Sequence, residues 1–418
     1  MHEPPAAHRP PPTRERTWIY GLLIGPSAVT ANGVIQGGVL AYLLSVQNVG
    51  SGMQSHLIGL LSLPTSLYFL WSPMTDFFVR RRTWVLCGGL SAALLMAVSF
   101  HQPHLSSRTA LALMFVSACC SQLVVSSCGG IMGTLRAENT RRMAASFYQA
   151  GSMGFGALAA WILIYLSSRT GQNVLGLVAA VLIGLPALAA LAAPAQQQLA
   201  KDRFALVMRR IWDEFRTTFL RREALPYIAC MTFPMASGAA AGLLPGVARQ
   251  FGVGGDQVAW INGLLGGILM AAGAVLMSLI RTRMRVSVLY MTVSLVNCLC
   301  SAVLWLGPAR PGTYYAGVLL YLFTLGSAYA TFTAVALEFL GDSGKSGSGR
   351  YSIINSLGNI PVLYMLQVDG WGGDHWGGRG LAGAETVVGG LGALALLAYL
   401  LTRAPARRFG NGQSLAAD

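Results

Sequence analysis

The sequence LWSPMTDFFVRRRTW, residues 70–84, connects two long apolar segments of the chain, residues 56–79 and 84–101. A helix of about 20 apolar residues is long enough to cross the hydrocarbon core of a bilayer, and both segments approach that length. Three consecutive arginines lie in the connection, and loops rich in Lys and Arg stay on the cytoplasmic side of a membrane. The stretch therefore predicts two membrane helices joined by a cytoplasmic turn.

The same alternation of apolar segment and short connection extends over the whole chain. Hydrophobic residues make up 54% of the sequence and charged residues 11%, which excludes a soluble domain with a solvated surface. We therefore predict an all-α membrane protein of about 12 transmembrane helices. The apolar segments are 18–45, 56–79, 84–101, 109–135, 143–166, 172–193, 225–250, 257–280, 286–307, 313–340, 351–368 and 381–402.

Basic residues are distributed unevenly between the two sides of this predicted bundle. Of the 29 Lys and Arg residues, 24 fall in alternate gaps between apolar segments and five in the others. The positive-inside rule places both termini in the cytoplasm. The net charge of +14 is then explained by cytoplasmic loops beside anionic lipid headgroups, so we expect no nucleic-acid partner. Short, cysteine-poor outer loops are typical of a bacterial inner membrane.

The chain also repeats itself over half its length. Pro26 and Pro234 are 208 residues apart, and so are Arg142 and Arg350. This offset predicts two pseudo-symmetric six-helix halves in parallel orientation. The predicted organisation is a disordered tail 1–17, an N-terminal half 18–193, a cytoplasmic linker 194–224, a C-terminal half 225–403 and a tail 404–418.

The linker has its own pattern. Its apolar residues Phe204, Val207, Ile211, Phe215 and Phe219 recur at helical spacing, with basic residues between them. This pattern predicts an amphipathic helix along the inner membrane surface. A flexible linker is the alternative.

The two halves, the basic linker and the stretch at 70–84 together resemble the major facilitator superfamily. In that family an acidic residue and basic residues of the loop between the second and third spans connect the loop to helix ends. The resemblance implies that Asp76, Arg80 and Arg81 form such a contact here. Further gate contacts are expected from the other motif positions, Arg142, Arg350, Asn355 and Asn359.

The form LWSPxxD followed by RRRxW is similar in particular to the branch that contains AmpG-type muropeptide permeases and acetyl-CoA transporters. Residues 350–359 and 377–381 are also similar to iron-siderophore importers of that branch. The resemblance implies a secondary transporter that moves a polar organic solute, such as a muropeptide-like glycan or an acyl-CoA-like anion, through a cavity between the halves. A siderophore importer, a non-transporting receptor or scaffold, and a membrane-embedded transferase are the alternatives.

Polar side chains inside membrane helices are the candidates for solute binding, because exposing them to lipid is costly. Four-residue spacing puts Asn32 and Gln36 on one face of the first span, and Gln122 and Ser126 on one face of the fourth. By resemblance to the superfamily, spans 1, 4, 7 and 10 line the cavity. Ser and Thr often bond their own helix backbone instead. The predicted solute-binding set is Asn32, Gln36, Gln122, Ser126, Tyr321, Thr324, Ser327 and Thr331, and we expect it to converge on one cavity.

Coupling to protons requires a titratable group in the cavity. The sequence suggests no Asp or Glu in the middle of a span. Glu338 near the inner end of span 10 is the first candidate, followed by Asp76 and by Asp369 near the outer end of span 11. Glu338 could instead form an ion pair with Lys345 or Arg350. If none of these groups titrates, the chain is a facilitator or an exchanger.

No motif indicates catalysis or a bound cofactor. A phosphate-cradling Gly loop is absent from the sequence, and the seven cysteines form no CxxC pair. Asp374 and His375 are too few to hold a metal ion. We therefore expect a monomer that is not an enzyme and has no cofactor, and whose partners are a small-molecule substrate, the lipid bilayer and, if coupled, protons.

Overall fold

The computed structural model describes residues 16–71, 74–75, 79–133, 135, 138–193, 206, 209, 212–213, 215–216, 219–221, 224–280, 284–340, 353–354 and 356–402. In this part of the chain every regular element is a helix. Nine windows are long and apolar enough to cross a membrane, and one of them, Ser356–Thr402, contains two helices joined at a kink. Two further spans are interrupted and fall short of that length. The prediction of about twelve membrane helices is confirmed.

Six helices form each half of the bundle. In the N-terminal half they are α1 (Ile19–Val46), α2 (Ser51–Ser66), α3 (Arg81–Phe100), α4 (Arg108–Met132), α5 (Glu138–Ser167) and α6 (Gln172–Ala192). In the C-terminal half they are α7 (Leu225–Thr232 and Ala239–Val247), α8 (Gly255–Met277), α9 (Val286–Leu306), α10 (Pro311–Leu340), α11 (360–375) and α12 (378–402).

The two ends of the bundle differ in charge. We call the end where α1 begins the basic end, because residues 80–82 and Arg285 lie there, at the starts of α3 and α9. The other end, called the opposite end, carries Arg169 and Asp256, where α5 ends and α8 begins. This difference is the structural counterpart of the uneven charge in the sequence.

The first helix of each half is broken near its middle. In α1 a π-helical turn, Ala28–Ile35, precedes Gly38, whose φ of +88° starts the second piece of the helix. In α7 the second piece starts at Gly238, with φ of +81°. Glycine adopts this left-handed conformation without steric cost. The paired breaks agree with the predicted relation between the halves.

The second pieces of α1 and α7 pack closely against each other. A Cβ atom on Gly38 would collide with the ring of Pro245, and one on Gly242 would lie 2.8 Å from the carbonyl oxygen of Gln36. Small residues allow membrane helices to approach this closely. The crossing of α1 and α7 therefore closes the space between the halves toward the opposite end.

Two other helix pairs join the halves, α2 with α11 and α5 with α8. Gly370 and Gly373 of α11 face Ser55 and Ser51 of α2, and a side chain on either glycine would collide with those serines. In the second pair, Gly263 of α8 packs on the backbone of Trp161. The buried apolar core is continuous across both halves.

The hairpin of α11 and α12 differs from the sequence-based boundaries. The predicted connection, 369–380, is helical except at Trp376 and Gly377, where the chain turns. Glu385 consequently lies eight residues inside α12, about 12 Å from the turn at 1.5 Å per residue. The expectation that no acidic residue lies within a span is wrong for Glu385, whose exposed fraction is 0%.

The described residues of the linker between 206 and 219 are helical. Phe215 stacks on Trp212 and on Phe219, with ring centroids 5.6 and 5.3 Å apart. Phe219 in turn lies 5.5 Å from Phe339 near the basic end of α10. Phe204, Val207 and Ile211 lie outside the described residues. The aromatic stack attaches the linker to the C-terminal half.

We predict that Gly38→Ala destabilises the protein. The left-handed backbone costs a residue with a side chain about 1–2 kcal/mol, and the added methyl group would also collide with Pro245. A lower midpoint of thermal unfolding of the purified protein would agree with this. Gly154→Ala is the matched control, because nothing lies within 4 Å of that position. Equal midpoints for both variants would contradict the role assigned to Gly38.

Candidate functional site

A polar group of α1 opens onto the interior of the bundle. Among the described helices long enough to span the membrane, α1 is the most enclosed, with 72% of its most apolar 18-residue stretch buried. Asn32 is nevertheless exposed, although its neighbours Ala31 and Gly33 are buried. Its Nδ2 donates a hydrogen bond to Oγ of Ser152 on α5, at 3.0 Å. Since α1 is so enclosed, the exposed surface of Asn32 faces a space inside the protein.

The breaks of α1 and α7 border this region. Gln36 is half-buried, one turn beyond Asn32, where the π-helical turn ends. In the other half, Tyr329 of α10 is 36% exposed, and its hydroxyl donates to the carbonyl of Ser237 at 3.4 Å. Asn32 and Gln36 precede the crossing of α1 and α7 in the sequence of α1. Tyr329 contacts Ser237, which precedes the crossing in α7. They therefore lie on the basic-end side of that crossing.

The predicted polar face of α4 makes a contact within the N-terminal half. Gln122 is buried and its Nε2 donates to Oγ1 of Thr65 on α2, at 3.0 Å. Ser126, one turn further, is also buried. The two residues thus lie on one helical face, as predicted, and this face is directed at α2.

The polar stripe of α10 is directed into the C-terminal half. Each of its four members is at most 9% exposed. Their partners are in α8, α9, α12 or α10 itself: Tyr321 donates to Glu385 at 2.8 Å, Thr324 accepts from Asn297 at 2.9 Å, Ser327 donates to Gly273 at 3.1 Å, and Thr331 donates to Ala328 at 2.9 Å. Among the described residues, no hydrogen bond brings this stripe together with Asn32 and Gln36. Solute binding by the stripe stays a prediction.

Two acidic residues lie together inside the C-terminal half. Asp369 of α11 and Glu385 of α12 are both fully buried, and their carboxyl groups are close enough to interact. Sequence reasoning placed Asp369 too close to the membrane surface and missed Glu385. The available signal was an acidic residue within an apolar segment, which is rare and usually functional.

Glu338, the first sequence candidate for proton binding, has a different environment. It is exposed near the basic end of α10, and it accepts a hydrogen bond from the hydroxyl of Tyr227 at the start of α7. Neither Lys345 nor Arg350, its predicted ionic partners, belongs to the described residues.

At the opposite end an ion pair joins the two halves. The guanidinium of Arg169 binds the carboxylate of Asp256 through two hydrogen bonds, of 2.6 and 2.8 Å. The guanidinium also lies 3.8 Å from the ring centroid of Tyr165. The hydrogen bond to Asp256 raises the pKa of Arg169, so the arginine stays charged. This bidentate geometry fixes the end of α5 to the start of α8.

A second contact joins the halves at the same end. The carboxylate of Asp374 in α11 accepts hydrogen bonds from the backbone N–H of Gly52 at 2.7 Å and from Oγ of Ser51 at 3.1 Å. A carboxylate at the N-terminus of a helix is favourable because the free N–H groups carry partial positive charge. Together with the Arg169–Asp256 pair, we call these the opposite-end contacts.

Some of the predicted gate residues at the basic end belong to the described residues. Arg81 donates to the carbonyl of Gly130, which connects α3 with α4, and Arg80 is exposed just before α3. Asn359 is half-buried just before α11. Arg142 belongs to α5, and its side chain is not among those described; Asp76, Arg350 and Asn355 lie outside the described residues. The roles assigned to these residues remain predictions.

A sequence comparison identifies the family. Residues 22–363 match the Major Facilitator Superfamily. The chain belongs to this superfamily. Nine spanning windows and this membership make it an integral membrane protein of a family of solute transporters. No curated protein sequence matches the chain closely.

Solved structures of other superfamily members have the same fold. The chain is similar to the nucleoside transporter NupG, with a TM-score of 0.70 and 12% identity over 91% of this chain and 98% of that one. It is also similar to a D-xylose-proton symporter, with a TM-score of 0.64, 13% identity and coverages of 91% and 95%. A third match is a peptide transporter, POT, in complex with sulfate, with a TM-score of 0.63, 12% identity and coverages of 92% and 93%. At such low identities the likeness concerns the fold alone.

We predict that removing the Arg169–Asp256 pair opens the opposite end. In Arg169→Ala or Asp256→Ala, the backbone amides around residues 168–172 and 252–256 should exchange hydrogen for deuterium faster, because the bond between α5 and α8 is lost. Hydrogen–deuterium exchange detected by mass spectrometry measures this. The swapped variant, Arg169→Asp with Asp256→Arg, should restore slow exchange.

Arg379→Ala is the control for this experiment, because Arg379 is at the same end but bonds Trp305 within its own half. Its substitution should leave exchange at 168–172 and 252–256 unchanged. The assigned role of the ion pair is wrong if Arg169→Ala exchanges no faster than this control.

Proposed function

We propose that the protein is a secondary transporter that moves a polar organic solute across a bacterial inner membrane by alternating access. The basic end and both termini face the cytoplasm, in accordance with the positive-inside rule. The two halves move relative to each other, so that the space between them opens first to one side and then to the other. Membership of the superfamily supports solute transport in general. The proposal adds which side of the membrane each end faces, the conformational state and the kind of solute.

One observation carries this proposal. Asn32, an exposed amide in the most enclosed helix, lies beside the breaks of α1 and α7. Broken membrane helices are typical of solute sites near the bilayer midplane, where irregular backbone is tolerated if it borders a cavity. With the opposite-end contacts formed, this space can open only toward the basic end. The structure thus corresponds to an inward-facing or occluded state.

The chemistry of the described side chains favours an uncharged solute rich in hydrogen-bonding groups. Asn32, Gln36, Ser152 and Tyr329 provide amides and hydroxyls, and none of them provides a charge. Charged ligands are usually recognised by Arg or Lys. Of the solutes that the sequence resemblance suggests, a muropeptide-like glycan therefore fits these groups better than an acyl-CoA-like anion.

Other functions of the same fold remain as outcomes of the test. The similar structures are named as transporters of nucleosides, of D-xylose with protons and of peptides, so likeness of fold does not select a substrate. A siderophore importer of the resembled branch would bind an iron–siderophore complex instead of a glycan. A receptor or scaffold with this fold would bind its ligand without moving it across the membrane.

We predict that a hydrogen-bonding solute stabilises the purified protein and that Asn32→Ala and Gln36→Ala weaken this effect. The panel is anhydro-muropeptides, siderophores, acyl-CoA species and sugars, each at two pH values. Loss of one hydrogen bond to a bound solute costs roughly 1.4 kcal/mol, or about tenfold in affinity. The concentration dependence of the thermal unfolding midpoint measures it, and uptake into proteoliposomes separates a transporter from a receptor.

Gln102→Ala is the matched control, because Gln102 is an amide at the opposite end, just beyond α3, whose side chain donates to the carbonyl of Val98 in that helix. The solute-binding assignment is contradicted if a stabilising solute binds Asn32→Ala and Gln36→Ala as tightly as the control. Stabilisation by acyl-CoA alone would overturn the preference for an uncharged solute.

A further inference from the structure

The C-terminal half contains a pair of carboxyl groups that the proposed solute site does not use. Asp369 and Glu385 are both 0% exposed, in helices that cross the apolar part of the membrane. Acidic residues in such a place are costly, and they occur mainly where ions or protons are bound. The hydroxyl of Tyr321 donates to Oε1 of Glu385 at 2.8 Å and orients that carboxyl group.

The geometry of the pair requires a proton. Two ionised carboxylates repel each other and have no hydrogen to share, whereas a protonated carboxyl group can donate to an ionised one. The two carboxyl groups are close enough to interact. Among the described residues, no N–H or hydroxyl group donates a hydrogen bond to either oxygen of Asp369 or to Oε2 of Glu385. A proton between the two groups gives these oxygens a partner.

The surroundings provide no positive charge that could replace this proton. The titratable side chains near Glu385 on the described parts of the neighbouring helices are Cys298 of α9, Tyr321 and Tyr329 of α10, and Tyr364 of α11. None of these groups is cationic at neutral pH. Among the described residues, no Lys, Arg or His is within bonding distance of either carboxyl group. The pair must therefore be neutralised by a proton or by a small cation.

A proton fits the pair better than a metal ion does. Hard cations such as Ca²⁺ take roughly 6–8 oxygen ligands, and they separate the carboxylates that they bind. In the described residues no group of three or more His, Cys, Asp and Glu side chains could hold a metal ion.

We propose that Asp369, Glu385 and Tyr321 form a proton-binding site inside the C-terminal half, separate from the solute-facing residues of α1. The pair holds one proton in the state described, with a net charge of −1, and becomes neutral when it takes up a second proton. Its role as a coupling site rests on the proposed transport function. Its capacity to bind a proton does not.

The position of the pair explains how protonation could affect the movement of the halves. Gly370, the residue after Asp369, packs on Ser55 of α2 in the other half, and Asp374, further along α11, caps α2. Helix α11 thus carries Asp369 on one face and the contact between the halves on another. A change of charge at Asp369 alters the packing of α11 on α12 directly beside this contact.

Infrared spectroscopy of the lipid-reconstituted protein tests the proposal. At neutral pH the wild type should have a carboxylic-acid C=O band that shifts on H/D exchange, a band that ionised carboxylates lack. Asp369→Asn and Glu385→Gln should each shift the band, because an amide replaces one of the two carboxyl groups, and the double variant should abolish it. Tyr321→Phe should keep the band at a shifted frequency.

Two acidic controls lie outside the pair. Asp374→Asn, in the same helix, and Glu338→Gln, exposed near the basic end, should leave the band unchanged. The proposal is overturned if the wild type has no such band, if the band keeps its frequency in both Asp369→Asn and Glu385→Gln, or if replacing choline chloride by sodium chloride removes it. In the last case sodium, not a proton, occupies the pair.

The outcomes separate this site from the proposed solute transport. If the infrared band is assigned to the pair but no solute stabilises the protein, the proton site is supported and its coupling role is not. Solute binding without the band would overturn the proton site alone. If neither neutral variant yields a monodisperse protein, the loss of the wild-type band on raising the pH still decides whether the pair binds a proton.

Discussion

The need to pair every backbone polar group inside the membrane governs this structure. Lipid offers no hydrogen bonds, so spanning segments must be helices, and irregular backbone can occur only where protein or water covers it. The breaks at Gly38 in α1 and Gly238 in α7 meet this condition, because both lie in the interior where the two halves cross. Glycine there permits the left-handed turn and the close approach of the second pieces. The remaining helices are arranged around this crossing.

Charge is distributed according to the same condition. Arginines lie at helix ends, where water or headgroups solvate them, and the ion pair of Arg169 and Asp256 lies at the opposite end, half-exposed. Among the described charged residues only Asp369 and Glu385 are deeply buried, and a proton shared between them lowers the cost of burying their charge. An exposed ion pair breaks at little cost, which suits a contact that must open and close repeatedly. A buried pair is suited to hold a proton until the surrounding helices move.

Several features of the fold could be predicted from the sequence. Hydropathy gives the number of spans because each crossing needs about 20 apolar residues. The interval of 208 residues between Pro26 and Pro234 indicated two related halves, and both first helices are indeed broken. The resemblance of the stretch at 70–84 indicates the superfamily. These signals are local or periodic, so a single sequence contains them.

The candidate site was less predictable, because it depends on contacts between distant residues. Helical spacing correctly groups Tyr321, Thr324 and Ser327 on one face, but it does not tell which neighbouring helix this face meets. Glu385 was missed because the segment 381–402 is apolar on average despite one acidic residue. The hydrogen bond from the N–H of Gly52 to Asp374 joins residues 322 positions apart, and no sequence motif indicates it.

The central claim is that the two ends of the bundle open in turn. Double electron–electron resonance can measure it in a variant without native cysteines, with spin labels at 168 and 254 for the opposite end and at 67 and 360 for the basic end. Removing the opposite-end contacts by Arg169→Ala with Asp374→Ala should lengthen the first distance and shorten the second. If both distances lengthen together, or if neither changes, the account of two halves that rock about the crossing of α1 and α7 is contradicted.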